Sequence, residues 1–130
     1  MTLIKNLSIM AFFCLVLASP AIAMKLPSEY GDNQCELIAK DFQKEFGGSL
    51  VFIQPLKADG SYDLCDYCGH WVNKKYISGN KKEYFFDWQH QKIYSSKQEI
   101  IDLFRDNLSI NIQVFELDKE RPPFALKYHY

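Results

Sequence analysis

From Asn33 onward the apolar positions fall into alternating periods, and the changes of period mark the elements. In "NQCELIAKDFQKEFGG", Cys35, Ile38, Ala39, Phe42 and Phe46 recur as one face of a helix. Asn33 can cap this helix, Glu36 three residues on can close a capping box, and Gly47 offers a stop. Cys35 is then expected at the second helical position. The stretch "SLVFIQPL" reads as a strand ending near Pro55, and "KADGSYD" as a loop. "HWVNKKYI" is a second strand opening at His70, and "EYFFDWQ" a third running through Tyr84–Phe86. A turn at Gly79–Asn80 makes these two a hairpin, which sets the start of one opposite the end of the other. His70 and Asp87 occupy those two ends.

"QKIYSS" leads into a second helix with Ser96 as cap, Glu99 closing the box, and Ile100, Ile101 and Phe104 facing inward. "LSINIQVFEL" carries Ile110, Ile112 and Val114 at period two, a further strand. Past the stiff Pro122–Pro123 corner, "FALKYHY" offers a short edge strand. The expectation is an α+β domain, its N-terminal helix packed on a small antiparallel sheet with a second helix.

The first residues change the picture of where this domain works. Lys5, the apolar run from Ile9 to Ala18 and the small residues Ala21 and Ala23 have the form of a secretory signal peptide, residues 1–23. Residues 24–130 are then one mature domain, exported to the periplasm or beyond. The apolar run is too short for a membrane anchor, and no second such span follows, so no membrane association is expected after cleavage. With 15 basic and 16 acidic residues the chain lacks the basic excess of a nucleic-acid surface.

Of the four cysteines, Cys14 leaves with the leader, so Cys35, Cys65 and Cys68 remain. An odd count in an oxidising compartment leaves one thiol over. A Cys65–Cys68 disulfide with Cys35 free is the simplest partition, and a bridge from Cys35 to either of the others is the alternative. A cysteine at a helix start meets unpaired backbone N–H groups that favour a thiolate nucleophile and can hold an oxyanion. The bland reading is that Cys35 packs under the helix as a small hydrophobe. With His70 as base and Asp87 as the acid that orients it, the three take the order nucleophile, base, acid.

These positions resemble the papain-like cysteine hydrolase superfamily in its compact bacterial forms, such as bacteriocin-leader peptidases and papain-fold toxin or deamidase domains. The matching motifs are Cys35 in "NQCELIA", Gly69-His70-Trp71-Val72 opening a strand, and Asp87 ending the next strand in "FFDWQHQKIYSSKQEIIDLF". They span about Asn33 to Phe104. The resemblance implies a papain-like minimal domain, with Cys35, His70 and Asp87 catalytic. It also implies thioester chemistry on a protein or peptide amide, as peptidase, deamidase or transglutaminase. No cofactor and no resident metal are implied; partners would be the substrate and, for a toxin, a cognate inhibitor protein. The family's oxyanion glutamine has its nearest counterpart in Gln34, directly adjacent to the cysteine rather than several residues before it. Trp88 follows the acid where the family commonly has proline, and Gln89 could lend a further polar contact.

Three other readings stay open. Cys65, Cys68 and His70 could hold zinc, with Cys35 or His90 as fourth ligand, although the single residue between Cys68 and His70 is cramped. "CDYC" could exchange disulfides, although an extended segment follows it where a redox motif would open a helix. The chain could also be an exported binding or inhibitory module without chemistry. His90 and His129 are expected to be bystanders, His90 because it lies past the strand end.

Overall fold

The computed structural model describes residues 24–126 apart from positions 67, 78, 80 and 81. The leader at 1–23, the Asn80 part of the hairpin turn, the end of "FALKYHY" and His129 lie outside the described residues. Among the described residues the architecture is α+β: a five-stranded antiparallel sheet and two α-helices, preceded by a 3-10 turn at Pro27–Glu29. The strands are β1 (Ser49–Leu56), β2 (His70–Tyr76), β3 (Glu83–Asp87), β4 (Lys92–Tyr94) and β5 (Asn111–Glu116). The helices are α1 (Cys35–Phe46) and α2 (Lys97–Leu108). Sheet order is β4-β3-β2-β1-β5, so α2 carries the chain from one edge of the sheet to the other. Among the described residues, no helix is long and apolar enough to cross a membrane.

The strands are buried on both faces, and the pleat sorts their residues between the two helices. Along β1, Val51 and Ile53 join Val72, Phe85, Val114 and Ile100 of α2 in one cluster. Phe52, between them, joins Trp71, Phe115 and Ala39 of α1 in another, while Ile38 and Phe42 pack on Phe86 and Trp88. One helix therefore covers each face. Polar residues follow the same parity. Asn73 is buried beneath α1, where its Nδ2 donates to the Ala39 carbonyl at 2.8 Å. Lys74, next along the chain, is buried on the α2 side, its Nζ 2.9 Å from both Glu116 and Asp118.

The expected hairpin forms, with Asn73 opposite Phe86 and Tyr76 opposite Glu83. The α2 cap also forms: the Ser96 hydroxyl accepts from the Glu99 N–H at 3.1 Å. Glu99 reaches back to the N–H and hydroxyl of Ser95 rather than to Ser96.

Four expectations are corrected. Asn33 does not cap α1: its φ of +58° is left-handed, and Gln34 takes the cap position without a side-chain bond to the helix. Cys35 is accordingly the first helical residue, not the second. Lys92–Tyr94, read as a lead-in to α2, forms edge strand β4, pairing Ile93 with Phe86 and Tyr94 with Phe85. Residues 124–126 are not a strand. Instead the Phe124 ring packs against Phe52, Tyr62 and Phe115.

Candidate functional site

The fold brings three ends together: the start of α1, the start of β2 and the end of β3. Gly47, with φ +80°, closes α1 so that the chain turns directly into β1 beneath it. The loop between β1 and β2 is stitched to β1 by Gln54, which is buried and donates to the Asp63 carbonyl at 2.6 Å. Gly69 then passes so close to Phe52 that a Cβ would stand 2.2 Å from its ring, which fixes where β2 begins. His70 is the next residue.

One step beyond the Asn73–Phe86 pair, Asp87 falls opposite Val72, and His70 shares Val72's face of the pleat. The two are diagonal neighbours. Their contact is direct: His70 Nε2 lies 2.8 Å from Asp87 Oδ2. The Cys35 side chain, at the first position of α1, stands near enough to the His70 imidazole to favour its charged form. The fold thus brings the sequence-predicted trio to one place, with His70 and Asp87 in direct contact and Cys35 beside the imidazole. Cys35 is the free cysteine among the described residues and is partly exposed.

Burial shapes the electrostatics of the pair. It disfavours a charged ring at His70, but the Asp87 carboxylate, and after it the Cys35 side chain, outweigh this and push the imidazole well above its ordinary range. Burial likewise opposes ionisation of Asp87, yet His70 and then His90 hold its carboxyl well below the usual carboxylate range. Asp87 is 3% exposed, so its charge is satisfied by these partners rather than by bulk water.

His90 is the residue the sequence reading set aside. Its Nδ1 lies 2.8 Å from the same Asp87 Oδ2, and its N–H donates to Asp87 Oδ1 at 3.1 Å. The turn that returns it is closed by the Gln91 N–H on the Trp88 carbonyl and by a left-handed Gln91, φ +51°. Trp88 anchors that turn, buried against Phe42, with its Nε1 donating to the Lys25 carbonyl at 2.9 Å. The His90 ring sits beside His70, centroids 5.0 Å apart. The three-residue spacing from Asp87 to His90 was the available signal, since a turn of that length returns a side chain to the residue that opened it.

The other expected positions are separate. Cys65 and Cys68 lie side by side as a possible disulfide pair, their Cα atoms 5.4 Å apart. The metal-capable groupings among the described residues set Cys65 and Cys68 with Asp63, and His70 with Asp87 and His90. The alternative zinc set of Cys65, Cys68 and His70 is therefore not assembled, because β2 directs His70 toward Asp87 of β3. Gln34 stands beside Cys35 at the helix cap, where its side chain makes no bond to the helix end. Gln89 is partly buried in the same turn as His90.

Comparison with protein-family models, with curated proteins and with solved structures returned no match, so the chemistry rests on the geometry.

Proposed function

We propose that this chain is a cysteine hydrolase or acyltransferase of papain-like type, acting on protein amide groups through a thioester. The observation that carries this reading is that one imidazole, His70, bonds the buried carboxylate of Asp87 at 2.8 Å and stands beside the free thiol of Cys35.

The steps follow from what each group can do. His70 takes the thiol proton as Cys35 Sγ attacks the amide carbonyl carbon, and the electron pair of the C=O bond moves to oxygen. The first N–H groups of α1, which no side chain caps, are the donors nearest to hold that oxyanion. Collapse breaks the C–N bond while His70 gives its proton to the departing amine or ammonia. The resulting thioester is then attacked by water or by an amine, His70 taking the proton, and Cys35 leaves as the thiolate. Asp87 holds the ring's orientation throughout and stabilises its positive charge.

Water at the second step gives peptidase or deamidase activity, and an amine gives transglutamination. The single sheet of the described residues suits an exposed side-chain amide or a flexible segment better than a long peptide cleft. The leader-like first residues support action outside the cytoplasm, in the periplasm or after secretion.

The test is iodoacetamide labelling of the folded, oxidised protein, with the modified residue mapped by mass. The expected result is rapid labelling at Cys35 that slows in His70→Ala. A Cys35 that stays inert in the folded protein, or that labels equally fast in His70→Ala, overturns the reading. Ammonia release from glutamine-containing proteins without chain cleavage then separates deamidation from peptide hydrolysis.

A further inference from the structure

A thiol hydrolase needs one imidazole on its orienting acid, and this protein has two. His90 is held on Asp87 by its backbone N–H as well as its ring, so its position is built rather than incidental. The hydrolytic steps give it nothing to do. We propose that His70 Nε2, Asp87 Oδ2 and His90 Nδ1 form a binding site for one divalent transition-metal ion of the zinc class, and that its occupancy disables the thiol.

Spacing is the first argument. The ligand atoms of His70, Asp87 and His90 all lie within 4.8 Å of one another. Ligands bound tetrahedrally at zinc distances stand about 3.3 Å apart. The two contacts to Asp87 Oδ2, each 2.8 Å, need open by only about half an ångström to admit such an ion.

The donor set is the second. Two imidazoles and one carboxylate suit zinc and its neighbours in the first transition row, whereas calcium and magnesium favour oxygen ligands alone. Water would complete the coordination, and the exposed side of His90 gives the ion a way in, since that side chain is 55% exposed while Asp87 is buried. The His90 N–H on Asp87 Oδ1 is the outer hydrogen bond that orients the ligating carboxylate.

Coordination displaces the proton that each ring now shares with Asp87, either to the opposite ring nitrogen or to solvent. Asp87 then serves the metal, and His70 can no longer be both ligand and proton carrier for Cys35. This consequence for the thiol rests on the hydrolase reading; the binding site itself does not.

Binding is tested on the oxidised protein by titrating zinc against a chromophoric chelator, with wild type, His90→Ala and Cys35→Ser compared. The expected result is one zinc per chain in wild type and in Cys35→Ser, with affinity reduced at least about ten-fold in His90→Ala. His90 is exposed, so its truncation leaves the fold in place, which circular dichroism would check. No stoichiometric binding by wild type, or equal binding by His90→Ala, overturns the site. Binding that leaves Cys35 alkylation unchanged overturns the control of the thiol. Because the titration never uses the thiol, the metal site and the hydrolase reading fail independently.

Discussion

His70 Nε2 and Asp87 Oδ2 meet at 2.8 Å although 17 positions separate the two residues. The contact exists because β2 begins where β3 ends, and the antiparallel register makes those two residues diagonal neighbours on one face. Both side chains are largely removed from water, so each depends on the other for its charge.

Asp87→Asn keeps the size of the side chain and removes its charge. Alkylation of Cys35 should slow by roughly ten-fold or more, because the ring loses both its orienting acceptor and its electrostatic support. Asp87→Ala should also destabilise the fold by about 3 kcal/mol, since it strands His70 without its partner. Urea unfolding measures the second effect. Wild-type alkylation in Asp87→Asn would remove Asp87 from the relay.

Gly69→Ala should be costly although alanine is small. Its methyl would fall 2.2 Å from the Phe52 ring, and overpacking of this kind costs about 1–3 kcal/mol. The double variant Gly69→Ala/Phe52→Leu should recover part of the loss, because it removes the ring that clashes. If both variants unfold at the same urea concentration, the Gly69–Phe52 contact does not govern the entry into β2.

Acid stability should depend on Glu116. Burial raises its pKa, but the hydrogen bonds and charges of Lys74 and Lys97 outweigh burial and hold it below the ordinary value. A carboxylate depressed in the folded state stabilises above its unfolded pKa, and that contribution fades as pH falls through the folded value. The stability gap between wild type and Glu116→Gln should therefore be largest near pH 7 and shrink toward about pH 3. Denaturant midpoints across that range would show it. A gap that stays constant with pH would mean the Lys74 cluster contributes nothing through charge.

Ser96→Ala separates the scaffold from the chemistry. Loss of the hydroxyl that accepts from the Glu99 N–H should cost about 1 kcal/mol of stability. Ser96 is not part of the Cys35–His70–Asp87 chain, so the alkylation rate of the folded protein should not change. A slowed rate at full folding would mean that the α2 cap helps to hold the thiol's surroundings in place.

The chain's own pattern determined what depends on near neighbours. Helical spacing from Cys35 to Phe46, the Ser96 cap, the Gly47 stop and period-two strands all arise within a few residues, where backbone hydrogen bonding and side-chain faces are decided locally. The hairpin extended that reach far enough to pair His70 with Asp87, because a short connection leaves two strands only one antiparallel arrangement. Tertiary structure decided the rest. Asn33 lost the cap to Gln34 once its backbone turned left-handed, and Lys92–Tyr94 became a strand only because β3 was there to pair with it. Lys74 and Asn73, adjacent and alike in polarity, were buried on opposite faces by acceptors that come from β5, the turn after it and α1. His90 joined the site because Trp88, sunk against Phe42, set the turn that carries it back. Periodicity records which face a residue prefers, whereas the partner it meets there is chosen by the packing of distant segments.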